Sequence, residues 1–238
     1  MKQKRTVPFV LNEEEKMSFI VAIDGPAGSG KGTITKLVGK KLGLIHIDTG
    51  ATFRCVALNM LQEGIKIEEE DKIKELLDHI DISMRETGEI FLNGEEVTKK
   101  IRENDVNNFV SPVSVIKIVR KKLLEIQRKI AYGKNVIMEG RDIGTVVFPN
   151  ANVKIYLDAS PEERAQRRVK QNQEKGIATS YEEVLKNIID RDKRDSSREV
   201  APLKQAEDAI YIDSTNMTIE EVVEEIVKII KEKQTLKK

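Results

Sequence analysis

Gly25-Pro26-Ala27-Gly28-Ser29-Gly30-Lys31-Gly32-Thr33 is the stretch on which the fold turns. An apolar run, Phe19-Ile20-Val21-Ala22-Ile23, leads into it. Apolar residues at helical spacing, Ile34, Leu37, Val38 and Leu42, lead out. Strand, glycine loop and helix in that order form the setting of a phosphate-binding P-loop. Glycines let the backbone curl until successive N–H groups converge on an anion, which a Cβ at each position would obstruct. The following helix adds the positive end of its dipole, and Lys31 adds a full charge. The general pattern puts Ser or Thr directly after the lysine, whereas here Gly32 intervenes and Thr33 comes second. The competing reading is an ordinary glycine-rich turn, and the two correct flanks argue against it.

Four more apolar strands follow. Leu44-Ile45-His46-Ile47 ends in Asp48-Thr49-Gly50, with a helix behind it carrying Phe53, Ala57 and Leu61. Asn135 to Met138 ends in Glu139-Gly140-Arg141-Asp142, Val153 to Leu157 ends in Asp158, and Ala209 to Ile212 leads into Asp213-Ser214-Thr215. Helices lie between them. Ser160-Pro161 with Glu163, Ser180 with Glu183, and Thr218 with Glu221 are helix-opening boxes. Between about residues 63 and 114 the texture changes. A charged helix, Glu68 to Asp78, precedes two alternating runs, Ile80 to Met84 and Glu89 to Leu92, and Asn93-Gly94 marks a hairpin turn. This reads as an antiparallel insertion into an α/β domain whose five-stranded parallel sheet carries helices on both faces. Ligands of such sheets bind beyond the carboxyl ends of the strands. The chemistry therefore belongs to Gly25–Thr33, Asp48–Arg54, Glu139–Asp142 and Asp213–Thr215, all loops of that kind.

Composition narrows the partners. With 41 basic and 40 acidic residues the net charge is +1, which leaves no global footprint for nucleic acid or membrane. Cys55 is the only cysteine, so no intrachain disulfide forms; it reads as a small buried apolar residue in a reducing compartment. His46 reads as a strand packing residue, and with His79 the only other histidine there is no His/Cys metal centre. No segment approaches the roughly 18 apolar residues of a membrane span. Residues 1–17 lack the apolar core of a signal peptide and read as a flexible extension ahead of the P-loop α/β domain at 18–238. A soluble cytoplasmic monomer is expected.

Two helices carry chemistry. From Ser180, the apolar stripe Tyr181, Val184, Leu185, Ile188, Ile189 continues on the same face as Arg191, Asp195 and Arg198, as a helix pointing from the core into a polar cleft would. From Pro161, Arg164, Arg167, Arg168 and Lys170 crowd a helix with little to bury, a candidate lid over phosphates at about residues 160–180. For each of these residues, and for Arg54, Arg141 and Asp142, an ordinary surface ion pair is the alternative.

The glycine between Lys31 and Thr33 resembles the P-loop of nucleoside monophosphate kinases. Asp48-Thr49-Gly50-Ala51 through Arg54, the run Glu139 to Pro149, Arg191-Asp192 through Asp195 and Arg198, and Val200-Ala201-Pro202-Leu203 are similar to the bacterial cytidylate kinases, across about Phe19 to Ile230. Phe53 departs from the family's usual tyrosine. The resemblance implies phosphorylation of CMP and dCMP by ATP with Mg²⁺. It assigns Gly25 to Thr33, Arg164, Arg168, Ser214 and Thr215 to ATP, and Thr33 to the metal. It assigns Asp48, Thr49, Arg54, Ser111, Arg120, Arg141, Asp142, Arg191, Asp195 and Arg198 to CMP. Lys31, Arg54, Arg141, Arg191 and Arg198 would be catalytic. Asp142 would accept from the cytosine amino group with Ser111 and Arg120 on the other edge, and Asp195 would bind the sugar hydroxyls. The rivals are a P-loop kinase for UMP, AMP or another small acceptor, and a non-catalytic nucleotide switch.

Overall fold

Val21 and Ile23 are buried on one face of the first strand and Ala22 on the other, so this strand is apolar on both sides and lies at the middle of a sheet. A computed structural model describes residues 19–174 and 176–235, and the expected extension at 1–17 lies outside the described residues. The elements run β1 (Ile20–Asp24), α1 (Lys31–Leu42), β2 (Ile45–Asp48), α2 (Thr49–Gln62), α3 (Glu70–His79), β3 (Ile82–Met84), β4 (Ile90–Leu92) and β5 (Glu95–Glu96). A 3-10 turn (Lys100–Arg102), α4 (Asn104–Val113), α5 (Lys117–Ala131), β6 (Val136–Gly140) and a π-helical turn (Ile143–Val147) follow. The chain closes with β7 (Val153–Asp158), α6 (Pro161–Glu174), α7 (Tyr181–Ser196), β8 (Ile210–Asp213) and α8 (Ile219–Thr235).

The main sheet is five-stranded and parallel, in the order β2-β6-β1-β7-β8. Its register sets Asp24 beside Gly140 and Tyr156, Asp48 beside Glu139, and Asp158 beside Asp213. Strand ends and their acids thus lie along one edge. On one face α1 and α8 pack Val38, Ile226 and Ile230 against Val21, Ile23 and Ile155. On the other, α5 and the π-helical turn pack Ala131, Ile143 and Val147 against Ala22, Ile47 and Met138.

The insertion forms a second, three-stranded antiparallel sheet, β3-β4-β5. Asn93 and Gly94 both have positive φ, as a two-residue hairpin loop requires, and pair Leu92 with Glu95. Sequence periodicity did not mark β5 or α4. The first is two exposed glutamates, and the second is a largely polar segment ending around Pro112. The insertion's core is continuous with α2 and α5 through Cys55, Val56, Val119 and Leu123.

Helix α6 shares a small core of its own with α7, made of Ala165, Val184 and Ile188. The expected lid corresponds to α6 and its connection to α7. Ile189 departs from the expected stripe, lying exposed because the stripe on α7 is only as wide as α6 can cover. The three helix-opening boxes are present, with Glu163, Glu183 and Glu221 N–H groups donating to Ser160, Ser180 and Thr218. Only the last is reciprocal, with Thr218 N–H donating back to Glu221.

Candidate active site

Ala27, Gly28, Gly30, Lys31, Gly32 and Thr33 open onto a cleft of about 720 Å³ along the carboxyl edge of the sheet. The rest of the expected loop faces inward. A Cβ on Gly25 would lie 2.0 Å from the Leu157 carbonyl oxygen, and the Ser29 hydroxyl donates to the Pro26 carbonyl. Lys31 is buried inside its own loop, its Nζ donating to Pro26 O at 2.6 Å and Ser29 Oγ at 3.2 Å. Burial pushes its pKa down to about 7, and the charge of Arg141 adds to the fall while Glu139 and Asp24 oppose it.

Gly32 has a physical reason. A Cβ there would lie 3.2 Å from Oε1 of Glu139, the last acid of β6, so the missing side chain lets that carboxylate approach the start of α1. The same oxygen meets His46 Nε2 at 3.0 Å and the Thr35 hydroxyl at 3.4 Å. His46 is therefore a polar partner of Glu139 rather than the strand packing residue the sequence implied.

The expected acceptor side converges on the other end of the cleft. Arg54 lies 3.6 Å from Asp48 and donates through Nε to Asn107 Oδ1, while its buried Nη1 has no hydrogen-bond partner. Asp48 also caps α2, accepting from Ala51 N–H. Asp195 on α7 accepts from Arg141 Nε at 2.9 Å and is paired with Arg198. Burial would raise its carboxyl, but Arg141, Arg198 and Arg191 outweigh that and hold it below the usual range. Arg120 donates to Asp142 at 2.5 Å and lies 5.2 Å from the ring centre of Phe53. Burial raises Asp142 and lowers Arg120 despite this pairing, so both groups are held at a desolvation cost. Ser111 and Ser114 complete that corner. Arg191 is partly buried and has no ion pair among the described residues. Burial and then the charge of Arg141 lower its pKa to about 10.

Several expected ligands also make structural contacts. The Thr49 hydroxyl donates to the Glu139 carbonyl at 2.7 Å and is buried. Arg164, expected over ATP, is 3 % exposed and has a partner at each guanidinium nitrogen, donating to Ala159 O and Ala27 O and pairing with Asp192 at 2.6 Å. Thr215 does not line the cleft; its hydroxyl accepts from Ser160 N–H and donates to Asp213. The Ser214 side chain donates to Asp158 O, so this residue offers the cleft little more than backbone. Arg168 does line the cleft, exposed and without a partner among the described residues.

Sequence reasoning missed Arg102 as a site residue and gave Glu139 and Arg167, though it named both, no contact of their own. Glu139 stood inside a motif that was quoted for its neighbours. Arg102 reaches Asp48 at 3.4 Å from the insertion, and Arg167 donates to the Ser214 carbonyl at 2.7 Å. Neither carries a local signal, because each arrives through tertiary packing.

Relatives are similar in sequence across nearly the whole chain. A cytidylate kinase of Caldicellulosiruptor saccharolyticus is 52% identical over 212 residues, covering 88% of this chain and 94% of the relative. Cytidylate kinases of Fusobacterium nucleatum and Thermotoga maritima are 50% and 45% identical, covering 87% and 91% of this chain and 94% and 99% of their own. The family model described as cytidylate kinase matches residues 21–232, and the chain belongs to that family.

Proposed function

We propose that the chain transfers the terminal phosphoryl group of ATP to the phosphate of CMP or dCMP, giving ADP and CDP or dCDP. Arg191 carries this reading. Its partly buried guanidinium lines the cleft with no ion pair among the described residues, and Asp195, the acid whose charge it feels, is already paired with Arg141 and Arg198, so an anion in the cleft would compensate it. Two nucleotides meeting head to head supply that charge, and the cations offset their mutual repulsion.

In this reading Lys31 leaves Pro26 for the phosphoryl group in flight. Arg54, Arg141, Arg191 and Arg198 hold the acceptor phosphate, with Arg102 joining from the insertion. Asp142 accepts from the cytosine amino group, and Ser111 and Arg120 face the other edge. Asp195 orients the arginines and the sugar. No general base is needed, because a nucleoside monophosphate is already largely dianionic at neutral pH, with a second pKa of about 6. Magnesium fits the residues present. Thr33 offers the cleft a hydroxyl with no protein partner among the described residues, and Glu139 offers a carboxylate across the gap at Gly32. Such hard oxygen donors suit a cation that otherwise keeps water and phosphate ligands; when bound it would neutralise charge on the donor phosphates. The proposed setting is a cytoplasmic monomer acting on small nucleotides, without a nucleic-acid or membrane partner. Among the described residues no helix is long and apolar enough to cross a membrane.

A coupled ADP assay over CMP, dCMP, UMP and AMP tests the reading. CMP and dCMP should be the best acceptors, and D142N should lose CMP turnover far more than UMP turnover. AMP or UMP as best acceptor would overturn the role of Asp142.

A further inference from the structure

Asp142 occupies the position before the first residue of the π-helical turn, where an aspartate ordinarily folds back to cap the turn's free N–H groups. It does not do so. Its carboxylate faces Arg120, and it makes no cap bond. The N–H groups of Ile143 and Gly144 donate instead to the two carboxylate oxygens of Asp24, at 2.8 and 2.7 Å. Asp24 is the last residue of β1, directly ahead of the P-loop, and is 5 % exposed. Gly144 leaves the junction tightly packed. A Cβ on Gly144 would lie 3.2 Å from Lys154 Cδ and 3.4 Å from Asp24 Oδ2. The far end of the turn is held in the same way, with Arg128 of α5 donating to the carbonyls of Val146 and Val147. A five-residue turn is thus gripped at both ends by charges from other elements.

We propose that Asp24 is a positioning residue for acceptor recognition. By capping the turn in place of Asp142, it frees the Asp142 carboxylate to read the acceptor base, and it ties that carboxylate's position to the P-loop. The inference rests on the base-reading role of Asp142 given above. Without Asp24 the two N–H groups have no other acceptor, and Asp142 is the nearest anion by sequence; it turns inward and leaves the cleft.

The test is a double-mutant cycle on the full chain, with D24N, D142N and the double variant assayed on CMP and UMP at varied ATP. D24N keeps one carbonyl oxygen as acceptor and so preserves the packing. It should lower kcat/KM for CMP by about tenfold, leave UMP within about twofold, and leave the KM for ATP unchanged. In the D142N background it should change the CMP-to-UMP ratio no further. D24A should lose both bonds and go further in the same direction; if it does not fold, D24N alone decides. Equal losses of CMP and UMP turnover, a raised KM for ATP, or selectivity losses that add to those of D142N would overturn the inference. A wild-type enzyme without preference for CMP over UMP would overturn the base-reading role itself, and this inference with it. A wild-type preference that D24N leaves intact would overturn the inference alone.

Discussion

Lys31 and Asp24 lie at either end of the P-loop, and burial displaces both from their ordinary ionisation in opposite senses. The Lys31 ammonium, pulled down to about 7, is largely neutral at pH 8 in the free protein. An arriving phosphate restores the charged form, so ATP binding should take up protons at pH 8 and far fewer at pH 6. Calorimetry in two buffers of different ionisation enthalpy measures this, and zero uptake at pH 8 would contradict it. The same two groups bend the stability profile. Between about 7 and 10.5 the unfolded chain keeps a proton on Lys31 that the folded chain has lost, so this contribution rises with pH. Asp24 moves from 3.8 to about 6, so between those values the folded chain holds the extra proton and its contribution falls as pH rises. Urea titrations from pH 4 to 10 should show D24N lacking the fall and K31M lacking the rise. Identical profiles in wild type and variants would refute both assignments.

At the scale of elements, α6 separates two arginines that look alike in sequence. Arg164 bolts the helix to the P-loop carbonyl of Ala27 and to Asp192 of α7, whereas Arg168 has no such tie. R164M leaves Asp192 unpaired and should destabilise the fold by about 3 kcal/mol or more. R168M should leave the melting temperature alone and raise the KM for ATP several-fold. Denaturation and steady-state kinetics on the pair settle the contrast, and reversed outcomes would reverse the assignment. Such distinctions mark the limit of what the sequence discloses. The five parallel strands were legible to within one or two residues, because strands buried on both faces read as unbroken apolar runs. That the P-loop, Arg141, Asp142, Arg191 and Arg198 line one cleft was legible because each follows a strand or continues the stripe of α7, and Arg54 because it sits one turn into the helix after β2. The bond from Asp24 to Gly144 and the meeting of His46 with Glu139 were not. They join residues 120 and 93 positions apart, and nothing local marks either partner. The ties of Arg164 and Thr49 to neighbouring carbonyls were not legible for a related reason, since the same residue type bonds a ligand or a neighbouring carbonyl and only packing shows the second.

Across the whole molecule the cores differ in size. The two faces of the main sheet bury long aliphatic layers, while among the described residues the small core of α6 and α7 is Ala165, Val184 and Ile188 with partly buried Val169, Tyr181 and Leu185 around it. Hydrogen exchange should therefore be fastest over α6 and α7 and slowest over β1 and β6, and ATP together with CMP should slow it chiefly in α6 and α7. Uniform protection with or without nucleotides would rule out a separately mobile lid. One more feature bears on how such motion can be watched. The thiol of Cys55 is buried within α2 and pushed up to about 12 by that burial, so a maleimide or disulfide reagent should find nothing to attack while the fold is intact. A cysteine introduced at exposed Gln166 or Lys170 would then carry the only dye. The wild-type background becomes a ready chassis for fluorescence, with its native sulfur silent until the chain unravels.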